Sequence, residues 1–381
     1  GLLSLKIYTN LFSSEQYAYI ALLMASSAWI WTALYQPLNL TIFRFYASSS
    51  NDNHIHDGVL MSWVWRYQKY LIKLVSAIGL ILCLYGLISE RSASYFLLII
   101  LSCIMGVSYG LIHGVVSTFL AKRKRKPITF IQSLDGLFRL SGGLILYYGI
   151  SQTEHALAIG IVTAGMLFLF LVSRLYGKQF KVDYSLKTTE SSTELQHDFS
   201  VYCRKMFTVM SLNASVIHLD KWLLLMLLGS YDLGKYAVVY TLALTITAIL
   251  YVFFEMLGLP LIMKQQSPTR QKVYLRLLQA AYTLSLLLIT YIISVYGKTL
   301  LPFFTSPHIA TEHDTFTLLI VGCGLLNLGR IAMVKGQIDK KPDQYWPAYL
   351  MLLVFFTSWC FIFVGQGDGD VAAKGFVLGN I

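Results

Sequence analysis

Long apolar runs follow one another along the whole chain, each separated from the next by a short polar segment. A helix that crosses a bilayer needs about 20 predominantly apolar residues. By that measure the pattern predicts membrane helices over 17–45, 69–89, 94–120, 127–150, 155–176, 204–229, 236–263, 274–297, 314–336 and 344–365. The end of another occupies 1–11 and a last one opens near 371, so the sequence reads as a fragment trimmed at both ends. The expected fold class is all-α, a polytopic membrane protein of about twelve transmembrane helices.

Polar segments between the runs alternate in charge. Lys122 to Lys126 form five consecutive cations, and the same side collects Lys178, Lys181, Lys187, Lys264, Arg270, Lys272, Arg276, Lys340 and Lys341. The other side holds Glu15, Glu90 with Arg91, Glu154, Asp232 with Lys235, Lys298, Glu312 with Asp314, and Asp368 with Asp370. Cytoplasmic loops carry the excess of Lys and Arg, so the basic set is expected inside.

The only long polar stretch, Gln179 to Ser200, reads as a flexible cytoplasmic linker. It separates an N-terminal bundle (1–176) from a C-terminal bundle (204–381), with 177–203 as the linker. Each half then counts six crossings in the same orientation, the arrangement of parallel repeats. A faint repeat agrees: Leu11 to Ala18 can be laid over Leu227 to Gly234, each on the outer side before a long apolar helix.

Composition sharpens the class. The chain of 381 residues is 56% hydrophobic and 13% charged, with a mean hydropathy of +0.61. A formal net charge of +11 raises nucleic acid as a partner, but the cations sit between apolar runs with no basic face of stacking aromatics, so none is expected. Five scattered cysteines form no CxxC or Cys/His set and read as small apolar fillers, with no metal or cofactor implied.

Ionisable groups at membrane depth are expensive and mark function or a fixed partner. Arg139 lies near the middle of the fifth helix with Asp135 one turn earlier, either a satisfied pair that fixes packing or a cation in a cavity. Asp220 and Lys221 lie deep in the seventh helix. Asn213 sits two turns before Asp220 on its face, which favours a hydrogen-bonding seam there, while Lys221 is expected on another face as the ligand-facing charge. Arg330 shares a face with Asn327 in the tenth helix. Arg44 ends the second helix after the Gln36-Pro37 kink site and, like Lys335, has snorkelling to the interface as its alternative. Glu255, ahead of Gly258 and Pro260, is a lone acid able to carry a coupling proton or balance an arginine. His113 and His218 read as neutral rings in apolar helices, with a proton relay as the alternative. Trp29, Trp31, Trp63, Trp65, Trp346 and Trp359 read mostly as interfacial anchors.

Several segments resemble one family. Leu11 to Tyr17, leading into a helix that ends Phe43-Arg44-Phe45-Tyr46, and His218 to Lys221 followed by Leu228-Gly229 and Gly234-Lys235-Tyr236, are similar to its turns and its intramembrane Asp-Lys/Arg step. The basic loop, the linker and Pro260 at the end of the eighth helix fit as well. The family is the polysaccharide transporters (O-antigen flippases) of the multidrug/oligosaccharidyl-lipid/polysaccharide exporter superfamily. Ala18, where the family usually has Gly, and the largely missing first helix are departures.

The resemblance implies a flippase of the bacterial cytoplasmic (inner) membrane, serving O-antigen and lipopolysaccharide biosynthesis. It would carry polyprenyl-pyrophosphate-linked oligosaccharide units to the outer leaflet by alternating access. Arg139, Arg330, Lys221 and Arg44 would bind substrate, with Asp135, Asp220 and Glu255 as coupling or structural acids. Expected partners are the lipid-linked oligosaccharide, membrane lipid and the polysaccharide polymerase machinery. No phosphate loop, GxSxG or HExxH occurs, so catalysis is not expected. A membrane enzyme acting on lipid-linked sugars and a multidrug exporter of the same superfamily stay open as alternatives.

Overall fold

In lipid the backbone must satisfy its own hydrogen bonds, and this chain does so with helices. The computed structural model describes residues 2–48, 54–122, 124–176, 190–263, 265, 267–307, 312–338, 341–363 and 369–380. Lys181 and Lys187 of the polar stretch, with Arg123, Lys178, Lys264, Lys340 and Asp368, lie outside them. In order the helices are α1 (Leu2–Leu11), α2 (Ser14–Ile30), a π turn (Trp31–Tyr35), α3 (Gln36–Ser48), α4 (His54–Ile88), α5 (Ala93–Ala121) and α6 (Arg125–Gly149). Then come α7 (Glu154–Tyr176), α8 (Glu190–Leu228), α9 (Ser230–Met263), α10 (Pro268–Phe304), α11 (His313–Ile338), α12 (Trp346–Phe363) and α13 (Gly369–Asn380). The protein is an all-α, multi-pass membrane protein, with 9 helices among the described residues long and apolar enough to cross a bilayer.

Three differences from the sequence reading have local causes. The polar stretch turns helical at Glu190, so 190–203 belongs to α8 and not to a linker. Glu190, Glu194, Leu195 and Gln196 are good helix formers, and Phe199 and Tyr202 give it a buried face. Near Gln36-Pro37 the helix widens into the π turn, where the Gln36 N–H reaches back to the Trp31 carbonyl, and continues through Ser48. Pro260 does not end its helix either, since α9 runs on to Met263.

The chain packs as two compact units: residues 22–218, and residues 1–21 together with 219–381. The divisions fall inside α2 and α8, so packing does not follow the chain halves. In unit 22–218 glycines let helices meet backbone to backbone. Gly160 lies against the carbonyl of Gly142, joining α7 to α6. On α5, Gly106 receives Ile30, Gly110 the ring of Tyr35, and Gly114 the amides of Asn39 and Gln68.

In the other unit Gly229, with φ of +87°, makes the turn from α8 to α9. The two segments of the sequence repeat meet there: α2 starts at Ser14 and α9 at the matched Ser230, and Gly234 lies against the Ser14 carbonyl. Lys6 on α1 donates to the Pro302 carbonyl at 2.6 Å and to the Thr305 carbonyl, closing the C-terminal end of α10 with a cation.

Candidate functional site

Each unit carries its own cluster of buried charge. In unit 22–218 the centre is Arg139 on α6, 4% exposed. Its Nε donates to Asp135 Oδ1 at 2.9 Å and its Nη2 to Ser108 Oγ at 3.1 Å. The guanidinium also lies over the Tyr109 ring, 3.9 Å from its centroid. Nη1 is buried against Gly165 and has no hydrogen-bond partner among the described residues. Asp135 and Arg139 thus form a buried ion pair that leaves Nη1 unused.

Arg44, on α3 of the same unit, is half-buried, and its guanidinium lies 5.1 Å over the Tyr202 ring on α8. Around it Phe45, Phe199 and Trp63 pack edge to face or tilted. Trp63 is thus a core residue, 3% exposed, and Trp29 donates to Ser215 at 3.1 Å, so neither acts simply as an interfacial anchor. His113 packs against Trp31 in a tilted arrangement with centroids 4.6 Å apart.

In the other unit Lys221 does not face away from Asp220. Its Nζ lies 2.9 Å and 3.1 Å from the two carboxylate oxygens and 3.6 Å from the Tyr240 ring centroid. The carboxylate also accepts from Tyr236 Oη at 3.2 Å. Asp220 is fully buried and Lys221 is 5% exposed. An ammonium on a flexible stem swings to the nearest acid and aromatic face when water is absent.

Arg330 on α11, half-buried, donates from Nη1 to Asn327 Oδ1 at 3.1 Å, a neutral amide. It lies within electrostatic reach of Glu255, Tyr251, Tyr282, Tyr349 and Tyr240. Glu255 itself accepts from Tyr251 Oη at 2.9 Å. Lys221 lies over the Tyr240 ring, which also feels the charge of Arg330, whereas Arg139 and Arg44 keep separate partners in the first unit. The sequence reading missed the tyrosines at Tyr109, Tyr236, Tyr240 and Tyr251. With 25 tyrosines in the chain, nothing in spacing alone singles these out. Lys335 is exposed, as a snorkelling residue would be. All five cysteines are free, and no group of metal-ligand type forms among the described residues.

No protein-family model matches the chain, and no curated protein matches it. Solved structures do. A point variant of a MATE transporter superposes with a TM-score of 0.68 at 12% identity, covering 99% of this chain and 87% of that one. The inward-facing conformation of a multidrug resistance MATE transporter of the MOP superfamily gives 0.65 at 10% identity over 99% and 90%. A MOP superfamily transporter from Pyrococcus furiosus, described by the reverse polarity of its binding pocket and a suggested different function, gives 0.53 at 12% over 99% and 87%. At such identities the likeness is one of fold, and the chain carries the fold seen in MATE transporters of the MOP superfamily.

Proposed function

We propose that the protein is a membrane transporter working by alternating access, and that its cargo is a polyprenyl-pyrophosphate-linked oligosaccharide moved from the cytoplasmic to the outer leaflet of a bacterial inner membrane. The observation that carries the cargo is Arg330, a cation at membrane depth whose bonded partner is a neutral amide and whose surroundings are tyrosines. A guanidinium engages two phosphate oxygens at once and is more weakly hydrated than an ammonium. Tyrosine faces suit sugar rings. Lys221, in the same unit, carries charge already shared with Asp220, so it sets the potential around the headgroup while Arg330 grips it. An inside-negative potential favours outward movement of an anion by about 2.3 kcal/mol per charge per 100 mV. Glu255, bonded to Tyr251 and within electrostatic reach of Arg330, is the acid placed to answer a change at that cation.

The test is complementation. In a strain lacking its own flippase, the protein restores surface polysaccharide, and Arg330→Gln, expressed at the same level, loses most of that restoration. Unchanged polysaccharide with Arg330→Gln and Arg139→Gln combined would sink the anionic-headgroup reading. A multidrug exporter is the second reading, favoured by the MATE fold and by Glu255, a half-buried acid suited to cationic drugs. It predicts higher drug resistance on expression and loss of that resistance with Glu255→Gln.

A further inference from the structure

In unit 22–218 a row of polar atoms is buried where α2, the π turn and α3 lie on α5. Trp31 Nε1, Tyr35 Oη and both amide atoms of Asn39 are shielded from solvent, and none has a hydrogen-bond partner among the described residues. Tyr35 is 0% and Asn39 5% exposed. The three residues recur every four positions, so they follow one face over about two turns, roughly 12 Å. Opposite them α5 presents Gly110 and Gly114. A Cβ built at Gly114 would lie 2.8 Å from Gln68 Nε2 and 3.4 Å from Asn39 Oδ1, so two amides converge on the space that glycine leaves.

Buried polar groups in a folded protein are paired, by protein or by ordered water. The chemistry of an occupant follows from which atoms are orphaned. Trp31 offers only a donor, Tyr35 both a donor and an acceptor, and Asn39 two donors and an acceptor. A cation serves the acceptors and leaves Trp31 Nε1 and the Asn39 NH2 bare. An anion serves the donors and leaves Asn39 Oδ1 bare. Only a neutral group that both gives and takes hydrogen bonds satisfies the whole row, and the site is polar enough to keep it.

We infer that this seam is a binding site for neutral hydroxyl groups, occupied by resident water or by the hydroxyls of a sugar. It is separate from the Asp135–Arg139 pair but continues toward it, since the His113 ring packs against Trp31 and has its centroid 6.4 Å from that of Tyr109, the ring beneath Arg139. A π turn is the local geometry that brings Trp31 and Tyr35 onto this face, and such turns are frequent at functional sites.

Hydroxyl-radical footprinting of the full protein in lipid nanodiscs tests the inference, because radicals form from the water a side chain touches. After correction for intrinsic reactivity, Trp31 and Tyr35 should be oxidised severalfold faster than Phe168, which is 1% exposed in an apolar cluster of the same unit. Tyr35→Phe, which removes one oxygen and no volume, should lower the Tm, as should Asn39→Leu. Oxidation as slow as that of Phe168 overturns the inference, and so does a Tm that rises with Tyr35→Phe, the response of a dry seam relieved of an orphan. Adding N-acetylglucosaminyl-pyrophosphoryl-undecaprenol distinguishes the two sources. Protection of Trp31 and Tyr35 assigns the seam to sugar hydroxyls under the flippase reading, and unchanged oxidation assigns it to water whatever the cargo.

Discussion

The guanidinium of Arg139 is held by a carboxylate on its own helix, a serine hydroxyl and a tyrosine face on α5. Removing one partner of such a buried pair costs more than removing both, because the survivor stays charged without compensation. Asp135→Asn is expected to lower stability by about 3–5 kcal/mol, while Asp135→Leu with Arg139→Met should come close to the parent. Thermal unfolding in detergent checks this, and equal losses in the two variants would show that the pair contributes no coupling. The pair was legible in the sequence because its i, i+4 spacing is local to one helix. The direction of Lys221 was not, because its acid is the preceding residue and its ring, Tyr240, stands on the next helix. Helical spacing assigns adjacent residues to different faces, and a long side chain overrides that assignment when a buried partner is near.

Helix positions were readable at nearly every crossing, since a bilayer imposes one length and one polarity on each. What hydropathy missed were the polar extensions beyond the apolar core, such as the first turns of α4 and α8, whose sequence carries no membrane signal. The π turn had only Gln36-Pro37 to announce it: Pro37 donates no N–H, and Thr41 Oγ1 bonds its carbonyl at 2.7 Å, but the extra residue that widens the helix leaves no compositional mark. The weak repeat carried more than its letters suggested. Its two segments start helices at matched serines and pack on each other through Gly234 and the Ser14 carbonyl. A side chain at Gly234 must push that backbone away, so Gly234→Val is expected to destabilise by about 1–3 kcal/mol through overpacking. Gly229→Val, where no neighbour lies close but φ is +87°, should also destabilise, through backbone strain in place of a clash. Tm measurements on the two variants check both losses. A harmless Gly234→Val would mean that α2 and α9 are not held together at this point.

At the scale of the molecule, the two packing units divide inside α2 and α8, so these helices each contribute to both, a feature hydropathy has no means of registering. The direction of transport rests on the loop charges. Arg125, at the start of α6, and Arg91, in the turn before α5, are both exposed and are predicted on opposite sides of the membrane. The positive-inside bias counts cations in short loops, and the five at 122–126 outweigh any single outer loop. In intact cells a membrane-impermeant maleimide should therefore label Arg91→Cys at once and Arg125→Cys only after permeabilisation. The five native thiols are buried or half-buried, so a low background keeps the two sites readable. Labelling in the reverse order would place the basic loops outside, turn the inside-negative potential against an outgoing anion, and leave the proposed flippase without its driving force.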